Sequence, residues 1–252
     1  HCAGAGNTIT GSDNILVGRS AGFAITTAFN NIFMGVCAGA NTGIGTENTF
    51  IGSCAGLCTT DGRKSVFIGP NSGKCFTTGT SNIAIGSNAG CALTTNNTNT
   101  IIGSDAGKKT CSGSGNTLYG NNAGCAINTG GCNTVVGRDA GKQITSGSHN
   151  NVFGHFAGCR LTQGSSNLLM GNCAGYCLCG NDNVMLGKSS GFNRTGTKYK
   201  RNVLIGNHAG NAAGTLAIGN MDVLIGWNAG CNYTGSCSVC LLYTSPSPRD
   251  CQ

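Results

Sequence analysis

Glycine follows two apolar residues at Gly18, Gly35, Gly52, Gly69, Gly86, Gly103, Gly120, Gly137, Gly154 and Gly171, always at an interval of seventeen. Four residues after each of these comes a second glycine, from Gly22 to Gly175, preceded by alanine in every copy but one, where Ser72 stands. Three further copies, at Gly187, Gly206 and Gly226, follow steps of 16, 19 and 20 residues. The unit reads N-x-ϕ-ϕ-G-x-x-A-G, then a variable stretch with an apolar residue and threonine. A fixed short period constrains the fold more than any composition can, because each copy must bury its apolar side against the next.

Seventeen residues are too few for a helix-pair repeat or a propeller blade, which need about 30 to 50. They suit one coil of a parallel β-solenoid, whose short strands stack about 4.8 Å apart. The local residues agree. Asn48-Thr-Phe-Ile51, Asn99-Thr-Ile-Ile102 and Asn202-Val-Leu-Ile205 are β-branched and aromatic, as strands prefer. Two glycines per coil supply positive φ at corners. Only Pro70 falls inside the array, and stacked ladders tolerate little proline. The expected fold is all-β: a parallel β-helix or β-roll of about thirteen coils at roughly 60 Å in length. Residues 1–180 keep the regular period, 181–236 form irregular terminal coils, and 237–252 leave the repeat.

Asparagine stands four residues before the first glycine in eleven of thirteen copies: Asn14, Asn31, Asn48, Asn82, Asn99, Asn116, Asn133, Asn150, Asn167, Asn183 and Asn202, with Ser65 and Asp222 as exceptions. Stacked amides can hydrogen-bond along the axis as a ladder and cap the turn backbone.

Asn82-Ile-Ala-Ile-Gly-Ser-Asn-Ala-Gly90 and Asn202-Val-Leu-Ile-Gly-Asn-His-Ala-Gly210 resemble the head-domain repeats of trimeric autotransporter adhesins and the repeats of phage tail-fibre-like surface proteins. The resemblance spans about residues 3–230. It implies parallel β-rolls, assembled as trimers, that serve as adhesive or spacer shafts.

The chain is poor in catalytic side chains. It has one glutamate, Glu47, and seven aspartates, while 44 of its 252 residues are glycine. Asp105 and Asp139 share a column with Asn122 between them, and turn aspartates are common, so they make a weak carboxylate pair. No G-K-[ST] phosphate loop occurs. No enzymatic activity and no cofactor are expected. The net charge of +7 is spread out, which gives no nucleic-acid surface, and no apolar run reaches the roughly 20 residues that a membrane helix needs. The basic run Lys198-Tyr-Lys-Arg201 lies in the 19-residue coil, where it could meet an anionic surface or surface glycans.

Both residues before each first glycine are apolar, and strand side chains alternate faces. One column is therefore expected to point outward. Assigned to the first of the two, it holds Leu16, Phe33, Phe50, Phe67, Ile101 and Leu118, an apolar stripe that predicts self-association as a homo-oligomer or filament.

Seventeen cysteines predict an oxidising, extracellular or cell-surface location. The four histidines are scattered, so metal binding is not expected. Cysteines seventeen apart fall on adjacent coils, within the Cα separation that a disulfide tolerates. That condition selects Cys37 with Cys54 and Cys58 with Cys75. Three sequons, at Asn96, Asn193 and Asn232, permit N-glycosylation.

The chain starts inside a repeat, as a fragment would, and from Cys240 onward it reads like a translated sequencing-library adapter. The function expected is a structural shaft or subunit of an extracellular fibre, filament or adhesin. The alternative is ice binding through a threonine column at Thr26, Thr60, Thr77, Thr94, Thr145 and Thr162.

Overall fold

In the computed structural model, residues 8–192, 199–211, 220–231 and 236–241 are described. They are all-β and form a parallel β-solenoid in two compact units, His1–Thr129 and Gly130–Gln252. In the first, β1 (Ile15–Val17), β2 (Ile32–Met34), β3 (Thr49–Ile51), β4 (Val66–Ile68), β5 (Ile83–Ile85), β6 (Thr100–Ile102) and β7 (Thr117–Tyr119) pair in sequence order. The second holds β8 (Thr134–Val136), β9 (Asn151–Phe153), β10 (Leu168–Met170), β11 (Val184–Leu186), β12 (Val203–Ile205), β13 (Val223–Ile225) and β14 (Val239–Leu241), again parallel and in order. Strand β14 carries the second unit's ladder into the segment that the sequence assigns to a non-repeat tail.

Each strand is three residues long, because the glycine after it turns the chain. Gly52, at φ +135, needs glycine twice over. That angle disfavours any side chain, and a Cβ would lie 2.6 Å from the carbonyl of Gly69 in the next coil. Two successive turns then bring the chain back, for example Ala55 N–H to Gly52 O at 3.2 Å and Thr59 N–H to Gly56 O at 3.1 Å. A second side of the coil ladders with its neighbour too. Thr60 N–H donates to Thr77 O at 3.0 Å, and Thr77 N–H to Thr94 O at 2.9 Å.

The turns place four columns inside: the asparagines, the middle strand residues, the alanines, and the apolar residue three after the second glycine (Ile25, Phe76, Leu93, Ile127, Ile144, Leu161). Phe33, Phe50 and Phe67 stack in the strand column with centroids 5.0 and 4.8 Å apart and planes within 8°.

Left-handed backbone is not confined to glycine. The second residue after each first glycine and the residue before each asparagine also take it, as at Asn88 (φ 54), Thr98 (φ 56) and His149 (φ 58). Asparagine, aspartate and histidine accept this region best among residues with a side chain, and they recur in both columns, as at Asn30, Asn71, Asn88, Asp105, Asp182 and His208.

Candidate interaction surfaces and thiol clusters

The asparagines form a continuous polar column within each unit. Nδ2 of Asn31 donates to Oδ1 of Asn14 at 3.0 Å and to Gly45 O at 2.9 Å, and the Asn31 N–H reaches the same Oδ1 at 3.1 Å. The pattern repeats from Asn31 to Asn48 and from Asn82 to Asn99, and Asn116 N–H takes Oδ1 of Asn99 at 2.9 Å. In the second unit it runs from Asn133 through Asn150, Asn167 and Asn183 to Asn202. Where one asparagine stacks on another, as at Asn14–Asn31, Asn31–Asn48, Asn133–Asn150 and Asn150–Asn167, the lower oxygen accepts twice and the upper amide bridges two coils, so buried polarity is satisfied in both directions. Ser65 keeps the backbone part of the pattern, its Oγ accepting Asn82 N–H at 3.2 Å.

The strand face inverts one expectation. Phe33, Phe50, Phe67, Ile101 and Leu118 are completely buried, and Leu16 is half-buried, so this column is core and not an association stripe. Alternation explains it: the middle residue of a three-residue strand points in, and the residues on both sides of it point out. The outward face therefore has two columns. One is Ile15, Ile32, Thr49, Val66, Ile83, Thr100 and Thr117, and the other Val17, Met34, Ile51, Ile68, Ile85, Ile102 and Tyr119. The second unit repeats them, with Leu168, Val184, Val203, Met170, Leu186 and Ile205 among the members. No outward strand residue of β1–β14 is charged. Several are well exposed, including Val17 at 51%, Tyr119 at 57% and Met170 at 47%.

Cys37 and Cys54 share one column on adjacent coils, and so do Cys58 and Cys75, yet all four are free thiols. Residues stacked in register have parallel Cα–Cβ bonds, so their Cβ atoms stay about 4.8 Å apart, beyond the roughly 3.8 Å mean of a disulfide. A Cα criterion alone misses this. The backbone ladder keeps the ordinary parallel offset of one residue here. Cys58 N–H donates to Lys74 O, and Cys75 N–H to Cys91 O, both at 3.0 Å. Burial pushes the Cys91 thiol up, and Cys75 adds to this against the opposing pull of Lys74 and Lys108. Cys58 is pushed up by burial and then by Cys75, with Lys74 opposing. Among the described residues no group of three or more His, Cys, Asp or Glu side chains gathers as a metal site.

Asn96 is not a glycan acceptor here. It occupies the place that glycine holds in most coils, is 2% exposed, donates to Gly113 O at 2.8 Å and accepts Thr94 N–H at 2.9 Å. A buried amide with both ends engaged cannot receive a sugar. Asn193 and Asn232 lie outside the described residues, as does Lys198 of the basic run.

The threonine column is hydrogen-bonded along the axis. The Oγ1 atoms of Thr26, Thr60, Thr77, Thr94 and Thr145 donate to the carbonyl one coil on, at 2.8 to 3.3 Å. Asp105 and Asp139 are engaged by the lysines three residues later, Lys108 at 3.1 Å and Lys142 at 2.9 Å.

A feature that the period does not announce lies in the second unit. Phe156 packs edge-on to Tyr176, and Tyr176 stacks on Phe192 with centroids 5.1 Å apart. Arg138 lies 5.9 Å from the centroid of Phe156, and Arg160 lies 5.6 Å from that of Tyr176. Aromatics at twenty- and sixteen-residue spacing, close to the repeat, were the available signal.

The fold and these surfaces define the class: a β-solenoid repeat protein with a polar internal ladder and an apolar outer strand face. No protein-family model, no curated protein and no solved structure matches the chain. Among the described residues no helix is long and apolar enough to cross a membrane.

Proposed function

We propose that the protein is a non-enzymatic structural subunit of an extracellular fibre or adhesin, associating with further copies of itself through the outward strand face. The observation that carries this reading is the absence of charge from both outward columns. Parallel sheets are stable when both faces are covered, and in this chain the inner face alone is packed. A second copy is the natural cover, because its columns repeat at the same spacing and can match residue for residue along the axis. The likeness to adhesin-head and tail-fibre repeats points the same way.

Ice binding has less support, since the threonine hydroxyls that would face ice already donate to protein carbonyls. Surface glycans would meet the arginine–aromatic row instead, where rings can stack on sugars and guanidinium groups can pair with acidic ones.

Sedimentation velocity under reducing conditions tests the association. The unmodified chain is expected to sediment as an oligomer or filament, and Ile51→Lys/Ile85→Lys as a monomer with an unchanged circular dichroism spectrum. An unmodified chain that stays monomeric at high concentration would overturn the reading.

A further inference from the structure

Along one side of the second unit, exposed cations stand on the coils of β8, β9 and β11: Arg138, Arg160 and Lys188. Arg138 and Lys188 both follow a first glycine, three coils apart, which at the coil rise is about 14 Å. Aromatic rings accompany them. Arg138 lies over Phe156 and Arg160 over Tyr176, and Tyr176 stacks on Phe192. His155 steadies the first guanidinium from the next coil, its Nε2 accepting from Arg138 Nε at 3.1 Å. A guanidinium laid on a ring keeps its in-plane N–H donors for an outside acceptor. Arg160 and Lys188 form no ion pair among the described residues, and Asp139, 3.9 Å from Arg138, already holds Lys142 at 2.9 Å.

We propose that this row binds a carboxylated polysaccharide laid along the coil axis, its carboxylates pairing with Arg138, Arg160 and Lys188 and its sugar rings lying against the aromatic side chains between them. The inference deepens the adhesin reading and rests on it, not on self-association. Spacing carries the argument. The cations belong to different coils, so a small anion meets one of them at a time, whereas a polymer with a charge on each sugar meets all three. The guanidinium fork takes a carboxylate through two parallel N–H bonds. The rings argue against the chief rival polyanion. Single-stranded nucleic acids stack their bases on open aromatic faces, but Tyr176 and Phe192 close a face on each other at 5.1 Å, and Phe156 meets Tyr176 at 75°. A sugar needs only apolar surface to lie against.

Fluorescence anisotropy of labelled oligogalacturonate, titrated with the whole chain under reduction and at physiological salt, tests the site. Saturable binding is expected. Arg138→Gln/Arg160→Gln is expected to weaken it about tenfold or more with an unchanged circular dichroism spectrum. Arg19→Gln/Arg63→Gln removes the same charge from the first unit and is expected to bind as the unmodified chain does. Arg160→Lys keeps the charge without the fork and is expected to lose part of the affinity. No binding, equal weakening by the two double variants, or oligothymidylate or oligoglutamate bound as tightly as oligogalacturonate would overturn the assignment. Sedimentation without saccharide reads self-association separately. An oligomer that ignores oligogalacturonate overturns this site alone, and a monomer that binds it leaves the site standing without the fibre.

Discussion

Phe67 meets Phe76 edge-on, with ring centroids 5.0 Å apart and planes at 87°. The two coils before it pair an inward phenylalanine with a small residue, Phe33 with Thr42 and Phe50 with Thr59, whereas this coil carries two aromatics. Room for the second ring comes from Gly62, where a Cβ would run into the Phe76 ring. Gly62 has no left-handed φ, so its constraint is space alone. Gly62→Ala is expected to cost about 1–3 kcal/mol and less than half of that in a Phe76→Leu background. Urea unfolding of the four proteins of this cycle measures it, and equal costs in both backgrounds would place the limit in the backbone.

Thr42, Thr59 and Thr110 share the column of Phe76, and their Oγ1 atoms are buried with no hydrogen-bond partner. Valine keeps the shape and removes the stranded hydroxyl. Each Thr→Val change is expected to stabilise by about 1 kcal/mol, read as a rise in melting temperature. A fall would mean that the hydroxyls have partners in solution.

Asn150 donates to Asn133 Oδ1 at 3.0 Å and Gly164 O at 2.8 Å, and accepts from Asn167. Asn150→Ala strands all of these buried groups and is expected to cost about 2–4 kcal/mol. Asn150→Ser is expected to cost distinctly less, because Ser65 shows that a hydroxyl can accept the next backbone N–H. Denaturant midpoints of the two variants decide it, and equal losses would remove the ladder from the stability account.

Thr98 holds φ 56, a region that a β-branched residue enters at about 1–2 kcal/mol, and Gly115 stands at the same place one coil later with φ 71. Thr98→Gly is expected to stabilise by about 0.5–1 kcal/mol, the strain relieved less the extra freedom of glycine when unfolded. Thermal melting gives the sign.

Burial is the first cause that raises the thiols of Cys58, Cys91, Cys159, Cys173 and Cys179 in the folded chain. The unfolded chain ionises at the ordinary thiol value, 9.0, and so releases protons first as pH rises. The stability from these groups is whole below that value and is lost as pH climbs through it to the raised folded values. Under reduction the melting temperature is expected to hold from pH 7 to 8 and to fall above 9.

The fold was legible because a strict period needs no knowledge of side-chain direction. Spacing alone put Asn31 above Asn14 and Phe50 above Phe33. Facing was harder. With two apolar residues before Gly35, Phe33 and Met34, the choice of the inward one depends on where the strand begins, and the corner glycine does not reveal it. The same gap separated Cys58 from Cys75: register gave their Cα spacing but not the direction of their side chains. Left-handed backbone at Thr98 and His149 left no glycine to announce it.

Within each unit the carboxamide oxygens of the stacked asparagines accept from the following coil, and the backbone N–H groups of the same column donate to the preceding one. The column is thus a line of aligned dipoles with unlike ends, one offering donors and the other acceptors. Copies joined end to end could continue it only head to tail, since like ends would set donor against donor. A fibre grown that way would have a direction, and its two tips would recruit new subunits by different chemistry.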